Sequence, residues 1–223
     1  MTGKITFLHT VPSVRDFLKE YASKLFFEPP REIIHIVQPG LLEIVGDNLH
    51  KESSSFGEFS DVIHPLLQEN GAILVTCSSL GDLVVQFRKA FPDALLFRID
   101  EPMAYEAVSK ATNIGLVVTN QTTIAPSSHL MQCAAQKMGK HISVSCLNCK
   151  DDLNSLVESP NNEERRAILA KLNETFSNFD LVVLAQVSVA KIISEQEFNF
   201  SVPVLKSYVT GLEQLRMCQC FPR

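Results

Sequence analysis

Residues Ile73–Asp82 read ILVTCSSLGD, and the segment 109 positions further on, Val182–Lys191, reads VVLAQVSVAK. The first is a short apolar, β-branched run that ends on Cys77. Ser78, Ser79 and Gly81 then supply turn chemistry, and DLVVQF starts a helical pattern. The second segment follows the same course with Gln186 in the place of Cys77 and Ser188 in the place of Ser79. A strand that runs straight into a helix and carries a polar side chain at the junction is the unit of an α/β fold.

The offset of 109 holds outside this segment. It takes Ile5 to Ile114, Thr10 to Thr119, Ser13 to Thr122, and ALLFRID from Ala94 onto PVLKSYV from Pro203. One offset serving several strand ends predicts a duplicated unit. Strand-like runs (KITFLHT, EIIHIVQ, AILVTC, DALLFRID, NIGLVVT, HISVSCL, DLVVLAQ, VPVLKSYV) alternate with helical stripes (VRDFLKEYASKLF, FGEFSDVIHPLLQEN, DLVVQFRKAF, EPMAYEAVSKA, PSSHLMQCAAQKMG, NEERRAILAKLNETFSN, SVAKIISEQEF). Pro65 is expected to kink or bound its helix. The pattern predicts two flavodoxin-like α/β lobes with parallel sheets, related by a pseudo-twofold, with a cleft between them. Ligands of such sheets sit beyond the carboxyl ends of the strands. That places Thr10, Ser13 and Cys77 on one wall of the cleft and Thr119, Thr122 and Gln186 on the other.

Composition narrows the function. The chain has 223 residues, 45% hydrophobic and 20% charged, with a net charge of −5. No basic stripe favours nucleic acid or an anionic membrane, and no apolar run spans a bilayer. The start, MTGKITFLHTV, reads as a first strand and not a signal peptide, so the expected location is the cytoplasm and the six cysteines are expected as thiols. Cys146 and Cys149 have CxxC spacing, and Cys218 and Cys220 form CQC, but no histidine accompanies them in a zinc pattern. They read as small hydrophobes in and beside strands. Nucleotide-binding glycine motifs, HExxH and G-x-S-x-G are absent, so neither a metal nor a cofactor is expected.

At the strand ends, the free N–H groups of the first helical turn favour an anion. They are expected to lower the Cys77 pKa towards the thiolate. With the hydroxyls of Ser78 and Ser79 they suit a substrate carboxylate or a developing enolate. Cys77 as an inert core thiol is the alternative. Thr122 or Thr123 reads as a helix cap, Asp100 and Glu101 as a dipole-matched helix start with general-base chemistry as the alternative, and His35 as structural.

These motifs resemble the aspartate/glutamate/hydantoin racemase superfamily. The likeness rests on LVTCSSLGD, NIGLVVTNQTT before a helix, FDLVVLAQVS before VPVLKSYVTG, and RIDEPMAYEAV, and it covers nearly the whole chain. The resemblance implies a cofactor-free enzyme acting at the carbon next to a carboxylate of a small acid. It also implies a first lobe of residues 1–100 with 206–223 and a second of 101–205, with the last strand and helix crossing back. It makes Cys77 the acid/base or nucleophile and assigns anion binding to Ser78, Ser79, Thr119 and Thr122. Thr10 is then a substrate-facing group, and Gln186 and Ser188 orient the substrate. A homodimer is the default assembly.

Members of the superfamily place a second cysteine where this chain has Gln186. Two-base racemisation needs a proton carrier on each face, and an amide is not one near neutral pH. Either His9 or a water serves the second face, or the reaction needs one thiol only, as in decarboxylation with single-face protonation or nucleophilic isomerisation. The other class of reading is a carboxylate-binding protein without catalysis.

Overall fold

Every strand of the alternation forms, and the strands assemble into two separate sheets. The computed structural model describes residues 4–25, 32–47, 52–159, 161–194 and 198–217. The chain divides into two compact units, one of residues up to Ile99 together with those from Gly211 on, the other of Asp100–Thr210.

In the first unit the order is β1 (Lys4–His9), α1 (Pro12–Leu25), β2 (Glu32–Val37), α2 (Gly40–Asp47), α3 (Glu52–Asn70), β3 (Ala72–Val75), α4 (Gly81–Ala90) and β4 (Leu96–Arg98). The strands pair in parallel in the order β2-β1-β3-β4. The second unit runs α5 (Glu101–Lys110), β5 (Asn113–Val118), α6 (Ile124–Lys137), β6 (Ser143–Asn148), α7 (Lys150–Glu158), α8 (Asn162–Phe176), β7 (Leu181–Leu184), α9 (Val187–Ser194) and β8 (Val204–Lys206). Its parallel sheet has the corresponding order, β6-β5-β7-β8. Helix α10 (Ser207–Met217) starts in this unit, and its residues from Gly211 belong to the first.

The two central strands of each sheet are buried along almost their whole length. Parallel strands with helices on both faces need such unbroken apolar runs. Leu8, Ile73 and Val75 pack with Phe59, Ile63 and Phe87 in the first core; Ile114, Leu116 and Val183 pack with Met103, Ala104 and Met131 in the second. Ile5 pairs with Ala72, and Ile114 with Leu181, so the 109-residue offset holds for β1, β3 and their register. It drifts at the flanks. Ile33 of β2 corresponds to Val144, 111 residues on, and Leu96 of β4 to Val204, 108 residues on.

Several elements differ from the sequence expectation. Helices α2 and α7 form where no helix is predicted. Pro65 lies inside α3, which continues to Asn70 and stops at Gly71 in the left-handed region (φ +82°). The run VPVLKSYV is strand only over Val204–Lys206, because its partner β7 ends at Leu184, opposite Lys206; Ser207 already starts α10.

Gly211 ties α10 to the first unit. A Cβ there would overlap the Ile99 carbonyl oxygen and stand 2.8 Å from Ile99 Cγ1. Main chain cannot swing aside as a side-chain tip can. Gly211→Ala is therefore expected to destabilise the fold by about 1–3 kcal/mol, the range of overpacked sites. Urea unfolding checks this, and an unchanged midpoint would show that α10 shifts freely.

Candidate functional site

In each unit the two central strands are where the chain reverses its direction of winding, the switch point at which open α/β sheets bind ligands. The side chains at their carboxyl ends are therefore the candidate site, taken unit by unit.

In the first unit Cys77 is extended (φ −107°, ψ 112°) and precedes a single 3-10 turn, Ser78–Leu80, which leads into α4. Its side chain is partly exposed, whereas Thr10, Ser78 and Ser79 are buried. Around the sulfur stand the hydroxyls of Thr10 and Ser79 and the backbone N–H groups of Ser79 and Leu80, the last of which already donates to Cys77 O at 3.2 Å. These donors favour the thiolate. Burial acts against it and is the larger effect, so the thiol is pushed up from its ordinary value, not lowered as the helix start alone predicts. At neutral pH Cys77 is a protonated thiol surrounded by groups that stabilise the anion it becomes on giving up its proton.

Gly81 closes this turn. A Cβ there would meet Cζ, Nη1 and Nη2 of Arg98 about equally, so the guanidinium presents its face to the glycine. Arg98 is buried.

His9 lies behind the site and does not open onto it. It is 0% exposed. Its Nδ1 is 2.9 Å from Thr76 Oγ1 and its Nε2 3.0 Å from His35 Nδ1. The Thr76 hydroxyl gives its one proton to Leu8 O at 3.1 Å. His9 Nδ1–H must then donate to Thr76, and His9 Nε2 accepts from His35 Nδ1–H. Burial, then the neighbouring His35 and Arg15, lowers the His9 pKa to about 3. A sealed, neutral and fully bonded imidazole does not serve as the second proton carrier, which corrects that expectation.

In the second unit Thr119 follows β5 and Gln186 follows β7. Gln186 Oε1 lies 2.9 Å from the backbone nitrogen of Thr119 and 3.2 Å from its hydroxyl. A backbone N–H only donates, so the amide orientation is fixed, with oxygen towards Thr119 and the Nε2 hydrogens turned elsewhere. Thr123 Oγ1 also lies 3.4 Å from Gln186 Oε1, but it donates at 2.6 Å to Asn120 O and its single proton is committed there. The cap of the turn Gln121–Thr123 is the Asn120 side chain, which accepts from Thr122 N at 3.1 Å, and the Thr123 hydroxyl does not cap α6. Thr122 and Ser188, the latter in the first turn of α9, are half-buried.

Asp100 is buried at the head of α5, with Glu101 in its first turn, as a helix start requires. Cys146 is exposed on β6, while Cys149 is buried and burial pushes its thiol up to about 11. No cluster of three potential metal ligands occurs among the described residues. None of the described helices is long and apolar enough to cross a membrane. Cys218, Cys220 and His50 lie outside the described residues. The sequence reading missed Arg98 over Gly81, the His35–His9–Thr76 chain and the Asn120 cap. Each is a contact between residues that no local pattern links, except the Asn-x-Thr spacing of the cap.

No family sequence profile matches the chain, and a search of curated proteins found no match. Solved structures do match. The aspartate racemase of Picrophilus torridus aligns over 96% of this chain and 94% of its own, with a TM-score of 0.65 and 13% identity. The glutamate racemase of Francisella tularensis in complex with D-glutamate aligns over 96% and 79%, with a TM-score of 0.67 and 16% identity. A Gly74Cys mutant of arylmalonate decarboxylase in a sulfate-associated form aligns over 99% and 98%, with a TM-score of 0.56 and 12% identity. The duplicated sheets, each with its switch point between the two central strands, thus share the fold of these two racemases and this decarboxylase.

Proposed function

We propose that the chain is a cofactor-independent enzyme of the aspartate/glutamate racemase superfamily that acts at the carbon next to a carboxylate of a small acid, with Cys77 as its single proton carrier. The observation that carries this reading is the setting of Cys77. It is a thiol at a switch point that burial holds above its ordinary pKa, with the hydroxyls of Thr10 and Ser79 and the Ser79 N–H beside it. Its counterpart in the second unit is an amide whose oxygen is already bonded. A resting thiol is an acid, so it suits a reaction that generates a carbanion without needing a base first.

Decarboxylation of a substituted malonate meets that requirement. The C–CO2 bond breaks, and its electron pair passes to the α-carbon and the remaining carboxylate as an enediolate. The Cys77 S–H then protonates carbon, and the thiolate regains a proton from solvent. The hydroxyls of Thr10 and Ser79 and the Ser79 N–H stabilise the thiolate so formed. Ser78, Thr119, Thr122 and Ser188 serve substrate binding. Racemisation of aspartate or glutamate is disfavoured, since no second thiol stands at the matching strand end.

The test is stereochemical. An α-substituted malonate turned over in deuterated water is expected to yield a product with one deuterium on one face only. Inversion of aspartate or glutamate enantiomers with solvent exchange would instead reveal a second base. The fixed amide of Gln186 favours one further reading, a protein that binds small carboxylates without turning them over. That reading predicts saturable binding of a malonate with no label incorporated.

A further inference from the structure

The carboxyl edge of the second sheet holds two donors with no acceptor among the described residues. Gln186 Oε1 is bonded to Thr119, and its Nε2 has no hydrogen-bond partner among the described residues. Lys206 ends β8, paired in register with Leu184, two residues before Gln186 on the adjacent strand. Its side chain is half-buried, and among the described residues it makes no ion pair or hydrogen bond. Lys19, Lys89 and Lys150 also make no ion pair among the described residues, but they are exposed to water, whereas other lysines have protein partners. Lys4, Lys24, Lys110 and Lys171 pair with carboxylates, and Lys140 donates to the carbonyls of Val108 and Ser109.

Withdrawing an ammonium from water without a counter-charge is unfavourable. Burial pulls Lys206 below its ordinary value. The following residue repeats the deficit, because Ser207 Oγ, at the start of α10, is fully buried and makes no hydrogen bond among the described residues. Among the described residues, three donors on neighbouring strand ends and a helix start lack an acceptor. A group that offers several acceptor lone pairs and a negative charge complements them, which describes a carboxylate.

We propose that Lys206 Nζ and Gln186 Nε2 together bind a carboxylate at the carboxyl edge of the second sheet. This site stands on the second unit alone. It rests on the proposed function only in taking that carboxylate to be the substrate's.

The experiment titrates the full chain with succinate and with its neutral analogue succinamide, by calorimetry. Succinate is expected to bind about tenfold or more tightly than succinamide, the scale of one charge-assisted hydrogen bond. Lys206→Met is expected to remove that advantage, and Lys206→Arg to keep most of it. Thermal melts establish that each variant is folded, and Lys206→Gln replaces the methionine variant if that one is not. Absence of succinate binding by the unaltered chain, or binding by Lys206→Met within about twofold of it, overturns the proposal. Cys77→Ser separates the two readings. It is expected to keep succinate binding and lose label incorporation. If no label enters with any malonate while Lys206→Met still loses succinate, the catalytic reading falls and this site stands. Single-face labelling with succinate affinity unchanged in Lys206→Met gives the reverse.

Discussion

Replacing Cys77 with alanine is expected to lower turnover of an α-substituted malonate by about 10²–10⁴-fold, the range a positioned proton donor supplies. No other group at the first unit's strand ends takes over the role. Thr10 and Ser79 carry hydroxyls far too weakly acidic, and His9 is sealed behind them. The fold should persist, since the Cys77 side chain is already partly exposed and alanine leaves little void. A pH profile separates loss of chemistry from loss of binding. Burial holds the thiol above its ordinary value, so the proton-donating form prevails at neutral pH and disappears only as pH rises through that elevated value. Activity is therefore expected to hold through the neutral range and to fall at alkaline pH. Alkylation by iodoacetamide should rise over the same alkaline window, because the thiolate is the form attacked. An alanine variant with more than about a tenth of the original rate would remove the thiol from the mechanism.

The alternation of strands and helices was legible because central parallel strands are buried on both faces. That leaves unbroken apolar runs such as Ala72–Val75 and Leu181–Leu184. The offset of 109 was visible for the same reason. It fails at β2 and β6, which stand at sheet edges after connections of different length, and nothing in an edge strand's own composition fixes its register to a partner elsewhere. Helix α7 was hidden because its apolar stripe is thin; Leu153 and Leu156 are its only buried residues. The candidate site divides in a similar way. Cys77 and Gln186 were legible as equivalent strand ends, and the structure brings Thr10 and Ser79 to the first and Thr119 to the second. The protonation of Cys77 was not legible. Donors near the sulfur follow from the local turn, whereas burial is set by α2, α3 and α4 packing around it, and burial is the larger effect. Nor could sequence reveal that Lys206 has no counter-charge among the described residues, since that depends on every element around it.

Acid should weaken this fold at a buried histidine, by protonation of the unfolded chain and not of a paired carboxylate. The unfolded chain takes up a proton at His9 once pH falls below 6.5, but folded His9 does so only near 3. Between those values protons favour the unfolded state, so the stability held at neutral pH is lost as pH falls. The slope from this residue is roughly 1.4 kcal/mol per pH unit, or about 3 kcal/mol by pH 4.5. His35 is also lowered by burial and adds to the effect in the same direction. The cause is geometric. A proton on His9 Nε2 would point at the N–H of His35, 3.0 Å away, in a site closed to water. Of the charges that act on His9, Arg15 opposes the proton and Asp16 favours it, and neither outweighs burial. Urea midpoints between pH 7.5 and 4.5 check the prediction against His9→Gln, whose amide reaches Thr76 and His35 without titrating. The variant is expected to lose about one proton's worth of slope whatever its stability at pH 7.5. Equal slopes in the two proteins would mean that His9 takes up its proton as readily folded as unfolded. The His35–His9–Thr76 chain would then hold the ends of β1 and β3 together less firmly than its hydrogen bonds imply.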